Sequence, residues 1–246
     1  MIVHSSLKAI GWVPGSQVAV IQALLDVLGP AGTLVVPTQT MGNSDPKLWE
    51  RPPVPEAWWP TIREHMPAFD PAVSPSRGIG ALAEAVRTWP GAVRSNHPQA
   101  SFAAVGGRAA ELMATHKLDS HLGEASPLAA LEQVGARVLL LGVGFDVCTA
   151  FHLAEYRVPT PTTEYGCAML TERGREWVTY IDVATNSDDF DKLGAAYEPT
   201  ATLNRGMVGA ADARLFPAAE AIAFAVDWLR TNRTETPEDE AMTKKT

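Results

Sequence analysis

Val138-Leu139-Leu140-Leu141-Gly142-Val143-Gly144 runs directly into Phe145-Asp146-Val147-Cys148-Thr149-Ala150-Phe151-His152-Leu153-Ala154-Glu155. The first block reads as a buried strand that ends at glycines. The second opens a helix on which His152 and Glu155 stand three residues apart, and that spacing shares a face. Open α/β sheets bind ligands beyond the carboxyl ends of their strands. An imidazole and a carboxylate presented together at that edge point to base catalysis rather than packing alone.

Upstream, Ile2 to Ser6 reads as a strand end, and Ser16 is placed to cap a helix with an apolar stripe at Val18, Ile21, Leu24, Leu25 and Leu28. Gly29-Pro30 stops that helix, and Thr33 to Pro37 is a short buried strand, so the three form a right-handed βαβ unit. Residues 41–73 differ: Pro46, Pro52, Pro53, Pro55, Pro60, Pro67 and Pro71 are interleaved with Trp49, Trp58 and Trp59. That is too aromatic for a disordered linker and too rich in proline for regular elements. The segment reads as an ordered insertion over the sheet edge, a substrate lid. Helices are expected over 78–89, 108–116 and from Pro127 with Ser126 as cap, and strands over 101–106 and 137–142. Beyond Pro161, Gly166 to Leu170 and Trp177 to Val183 form a hairpin about a turn at 172–175, and a last helix spans Pro217 to Leu229. The expected architecture is a three-layer α/β/α sandwich with a mixed sheet, one domain over 1–232, and a frayed tail over 233–246.

The chain has 246 residues, 46% apolar, and a net charge of −8. This balance argues against nucleic acid as the partner and suits a cationic one. No apolar run approaches the roughly 18 residues that span a bilayer, and no basic n-region opens the chain, so neither membrane insertion nor a signal peptide is expected. Cys148 and Cys167 are the only cysteines. They fit a reduced cytoplasm and offer no zinc-type spacing, so no metal is expected. No G-x-S-x-G elbow or P-loop occurs. Arg77-Gly78-Ile79-Gly80-Ala81-Leu82 falls short of the pyrophosphate motif of GNAT acetyltransferases, and Cys148 near His152 offers the alternative of an acyl-enzyme.

Six blocks occur in a known order: Val3 to Leu7, Leu28 to Pro37, Phe69 to Glu84, Arg94 to Phe102, Gly123 to Leu128, and Leu141 to Glu155. Together they resemble the aminoglycoside 3-N-acetyltransferase family, over about residues 2 to 230. The resemblance implies acetyl transfer from acetyl-coenzyme A to an aminoglycoside amine. An ammonium has no lone pair, so it must lose a proton first, and a neutral histidine serves as base near neutral pH. His152 is the expected base. Its carboxylate partner is Glu155 or Asp182, the latter where the resemblance places a second acidic residue, with Asp188 and Asp189 as alternatives. Asp146, Glu155, Asp182 and His97 are the candidate substrate contacts, and His4 is a further candidate. For coenzyme A, Ser5, Ser6 and Thr38 stand at strand ends, and Ser74, Ser76 and Arg77 precede a helix start, a natural phosphate site. A homodimer is compatible with the sequence. The competing readings are acetylation of another small amine and a non-catalytic coenzyme A binder.

Overall fold

Alternate residues of the central strands belong to two different cores. Val3, Leu34, Val36, Ala103 and Val105 lie in one, and Ile2, Val35, Phe102, Ala104, Val138 and Leu140 in the other. This is the period of two that a sheet buried on both faces imposes. The computed structural model describes residues 1–50 and 52–233. In chain order they form β1 (Ile2–Ser5), α1 (Leu7–Ile10), α2 (Ser16–Leu28), β2 (Thr33–Pro37), α3 (Trp59–His65), α4 (Ala81–Arg87), β3 (Val93–Arg94), β4 (Phe102–Gly106), α5 (Ala109–Met113), α6 (Pro127–Gln133), β5 (Arg137–Leu141), α7 (His152–Glu155), β6 (Thr162–Thr171), β7 (Gly174–Val183), α8 (Phe190–Tyr197), β8 (Asn204–Val208), β9 (Ala211–Pro217) and α9 (Ala218–Asn232).

One sheet runs β3-β4-β2-β1-β5-β9-β8, and β6 and β7 form a separate hairpin. β1 pairs in parallel with β2 and with β5, whereas β4 and β9 flank them antiparallel. The sheet is therefore mixed, as expected. The first core is completed by Ile21 of α2 and Leu82 and Val86 of α4. The second is completed by Leu112 of α5, Leu128 and Leu131 of α6, and Ile222 and Leu229 of α9. Each such aliphatic side chain contributes about 1.5–3 kcal/mol by leaving water.

Several local expectations are corrected. Ser16 does not cap α2: Gly15, at φ 80°, takes the cap position, and the Ser16 hydroxyl turns to Gln17 instead. A tight turn through Val13 leaves Ser16 itself at φ 49°, and no side chain caps the helix. The helix expected from Gly78 begins only at Ala81, because Gly78 and Gly80 have φ of 78° and 88°. α9 ends at Asn232, and Arg233, the first residue of the expected tail, is held by side-chain contacts described below. The rest of the expected tail, 234–246, lies outside the described residues. No helix among those described is long and apolar enough to cross a membrane.

The proline- and tryptophan-rich segment is seated on the hairpin. The Asn43 amide both donates to the Ala168 carbonyl and accepts from the Ala168 N–H, each at 2.9 Å, imitating a neighbouring strand. Phe69 N–H donates to the same carbonyl, and Arg175 of β7 reaches back to the Met66 carbonyl.

The turn after β5 is held from behind by aromatic packing. Phe145 stacks on Phe151 at 6.0 Å and meets Phe216 at 5.7 Å. α8 approaches that ring through Gly194, where an added Cβ would lie 2.2 Å from the Phe145 Cβ. Alanine has the better helix propensity by about 1 kcal/mol, yet overpacking costs about 1–3 kcal/mol. Gly194→Ala is therefore expected to lower stability in urea denaturation. A gain in stability would contradict this packing.

Candidate active site

A cavity of about 620 Å³ opens beyond the carboxyl ends of β1, β2 and β5. His4, Ser5 and Ser6 of the β1 end, Pro37 and Gln39 of the β2 end, and Gly78 to Ala83 around the start of α4 line it. Val143, Asp146, Val147, Thr149 and His152 come from the segment after β5, and Ser187 from the loop before α8. Gly142 starts that segment at φ 69°, and a Cβ there would lie 2.5 Å from Ala9. Two single-turn 3₁₀ helices follow, Phe145–Val147 and Thr149–Phe151, before α7 begins at His152.

His152 Nδ1 lies 2.6 Å from Glu155 Oε2. An ionised carboxylate accepts only, so Nδ1 carries the proton and Nε2 keeps its lone pair. Glu155 is fully buried, while His152 retains 16% of its side-chain exposure. Glu155 Oε1 accepts from the Asn186 N–H at 2.9 Å and from the Arg233 guanidinium. Arg233 also pairs with Asp189 and donates to the Asn186 carbonyl. Burial works against charging Arg233, but the bonds to Asp189 and Glu155 outweigh it and raise its proton affinity. Arg233 was assigned to the tail by its sequence context, and the buried carboxylate is the reason it is held.

His4 and His152 face the same cavity. Burial, and secondarily repulsion from His152, pushes His4 down to about 4, so it is neutral. Its Nε2 is covered and lacks a partner among the described residues. An orphaned buried nitrogen, two serines and an apolar part of the lining formed by Val3, Val36, Ile79, Leu82 and Val143 suit a long, largely apolar ligand with a few polar atoms, as a pantetheine arm is. The basic residue on the lining is Lys8, which the sequence reading did not single out.

The other expected coenzyme residues lie elsewhere. Thr38 is fully buried, with its hydroxyl 3.2 Å from Ser101 Oγ and its carbonyl accepting from Arg94. Ser74 Oγ accepts from the Asp70 N–H, Ser76 Oγ is buried without a partner, and the Arg77 N–H donates to the Gln39 carbonyl. None of these four lines the cavity, and no described residue of 41–73 does. Cys148 is fully buried, and burial pushes its thiol up to about 12, away from a reactive thiolate.

Asp182 is not behind His152. Its Oδ2 accepts from the His121 N–H at 2.7 Å and from Tyr156 at 2.8 Å, and it lies 2.5 Å from His121 Nδ1. Burial would raise its pKa, but the bonds from His121 and Tyr156 prevail and lower it. His121 competes successfully because its backbone and ring both present donors to one oxygen. Sequence reasoning missed it; no local pattern marks that residue. His97 is likewise away from the cavity and fully buried. Its Nδ1 accepts from the Gln99 and Ala100 amides, and its Nε2 donates to the Leu118 carbonyl at 3.2 Å. Its ring packs 4.5 Å from His116 and 4.6 Å from His121. Asp188 is exposed.

These buried rings make the fold acid-sensitive. Burial, with repulsion from neighbouring histidines, holds His97 near about 2, and burial holds His116 at about 4. The unfolded chain takes up these protons near pH 6.5. Their stabilisation is thus complete above about 6.5 and is lost as pH falls toward the folded values, by about 1.4 kcal/mol per pH unit for each ring. The lowered Asp182 acts in the same direction below about pH 3.9. Denaturant unfolding from pH 7 to 4.5 should show a steep fall in stability, and His116→Gln should flatten it. A stability independent of pH over that range would contradict the assignment.

Comparison with known proteins covers nearly the whole chain. Residues 2–230 match the family model described as aminoglycoside 3-N-acetyltransferase. The YokD aminoglycoside N(3')-acetyltransferase-like protein of Bacillus subtilis is 45% identical over 94% of this chain and 86% of its own. Its crystal structure superposes with a TM-score of 0.93 at 44% identity, covering 96% of this chain and 88% of that one. Aminoglycoside N(3)-acetyltransferase III of Pseudomonas aeruginosa is 39% identical over 94% of this chain and 87% of its own. The structure of AAC-IIIb in binary complex with CoASH superposes with a TM-score of 0.82 at 32% identity, over 96% of this chain and 91% of that one.

Proposed function

The chain belongs to the aminoglycoside 3-N-acetyltransferase family, and from that premise we propose that it transfers an acetyl group from acetyl-coenzyme A to the 3-amino group of an aminoglycoside. The observation that carries this reading is the His152–Glu155 pair, 2.6 Å apart, with its imidazole on the wall of the cavity.

Acetyl-coenzyme A, when bound, supplies an acyl group activated as a thioester. His152 Nε2 takes the proton that the substrate ammonium must lose before its nitrogen can form the new bond. Glu155 holds Nδ1–H, fixes the tautomer and stabilises the imidazolium. The imidazolium then gives that proton to the departing thiolate, and the freed Nε2 takes the second proton, which the nitrogen loses as the C–N bond forms and the C–S bond breaks, and releases it to solvent. Transfer is direct, within a ternary complex: the raised Cys148 thiol supports no acyl-enzyme. Ser5, Ser6 and His4 offer polar contacts to the pantetheine arm, and Lys8 offers a cation for its phosphates. Thr38, Ser74, Ser76 and Arg77 act at most by shaping the wall. Asp146 on the lining, with Asp191 close to the same turn, favours a polycationic sugar, as does the charge of −8.

In this reading the helices on the two sheet faces make the protein an α/β/α sandwich, and residues 41–73 act as a lid. Their seat on the hairpin, through Asn43 on Ala168 of β6, supports the lid.

Thiol release should be measured with gentamicin, kanamycin and apramycin as acceptors. The wild type is expected to turn over at least one, and His152→Ala to lower kcat by about 10²- to 10⁴-fold, the usual contribution of a general base. Full turnover by His152→Ala would remove the proposed base. A wild type inert on every aminoglycoside would remove the proposed substrate.

A further inference from the structure

Resting on the reading above, we propose that Arg233 is a positioning residue for acetyl transfer: it holds the His152–Glu155 pair in the form that accepts the substrate's proton. Glu155 has no solvent exposure. A carboxylate there is costly unless a cation and hydrogen bonds meet it. One oxygen is committed to His152 and the other to the Asn186 N–H and Arg233. The titratable and charged groups that bear on the buried side of the pair include His4 of β1, Tyr165 of β6, Asp189 before α8 and Arg233 after α9, while Lys8 and Asp146 share the cavity wall with the imidazole. Among the described residues, Arg233 is the Lys or Arg paired with Glu155.

The guanidinium is itself fixed from three sides. Asp189 takes two of its N–H groups, the Asn186 carbonyl takes another, and it lies 5.8 Å over the Phe190 ring. That ring packs 4.8 Å from His152. The same residue therefore neutralises the carboxylate and braces the aromatic wall against the imidazole. It also ties down the loop whose Ser187 lines the cavity. Without it the buried pair would hold a proton more tightly, as a unit. A base already protonated cannot take the proton of the amine.

The test is steady-state kinetics with acetyl-coenzyme A and gentamicin across pH, on Arg233→Met, Arg233→Lys and the surface control Arg230→Met. Arg233→Met is expected to lower kcat by about 10- to 100-fold, less than complete loss of a base. Its acidic limb should move to higher pH, with KM for acetyl-coenzyme A little changed. Arg233→Lys should restore part of both, and Arg230→Met neither lose rate nor shift the limb. A parallel ¹⁵N-imidazole NMR titration of His152 in the substrate-free protein needs no turnover. There Arg233→Met should move the midpoint upward. An upward shift in Arg233→Met, together with a wild type that acetylates no aminoglycoside, would keep the positioning role while removing the substrate reading. Wild-type kcat and an unmoved midpoint in Arg233→Met, with only a lower melting temperature, would overturn the proposal. Should Arg233→Met fail to fold, Arg233→Gln is read against Arg233→Lys in the same titration. A higher midpoint for Gln supports the role, and identical midpoints overturn it.

Discussion

A carboxylate without water around it is the constraint on which the site depends. Glu155 is buried to completion, and each of its oxygens must be answered by the protein. His152 answers one from the same short helix; Asn186 and Arg233 answer the other from distant parts of the chain. The consequence is chemical. An imidazole held at Nδ1 by an anion has one defined tautomer and a free lone pair on its other nitrogen. The same ring outside such a clamp would be free to rotate.

The sheet supplies the place for this clamp. β5 and β1 run in parallel with Ser5 opposite Leu141, so both chains leave the sheet at one level. His4 and His152 are thereby brought to one cavity from segments far apart in sequence. A second polar network, His97, His116, His121, Gln99, Tyr180 and Asp182, lies away from it. There His121 Nε2 meets Gln99 Oε1 at 2.6 Å, and the Gln99 amide donates to the Gly166 carbonyl. These bonds join the hairpin to the main sheet. Almost every donor and acceptor in that network is already used, so it contributes rigidity and acid sensitivity.

Much of this was legible in the sequence wherever the signal is local. The apolar run to Leu141, the glycines after it and the His152–Glu155 spacing are all nearest-neighbour patterns, and the structure has β5, the turn and α7 where they indicate. The hairpin and the mixed sheet were equally readable. What stayed hidden is long-range pairing. Arg233 meets Glu155 across 78 positions, and His121 meets Asp182 across 61. Neither residue stands in a pattern that announces its partner. Of the residues expected to meet coenzyme A, Ser5 and Ser6 line the cavity and Thr38, Ser74, Ser76 and Arg77 do not, for a related reason. Serines and an arginine before a helix read as a phosphate site, but positive φ at Gly78 and Gly80 delays α4, and the cavity collects Lys8 instead. Ser16 failed as a cap because its own backbone, not its side-chain type, decides the matter.

The central claim is geometric, and a crystal structure with coenzyme A and an aminoglycoside bound together tests it most directly. The account predicts the acceptor nitrogen within about 3.2 Å of His152 Nε2, Glu155 still on Nδ1, and the sulfur in the same cavity. An imidazole turned away, with sulfur and acceptor nitrogen both beyond hydrogen-bond reach, would contradict it.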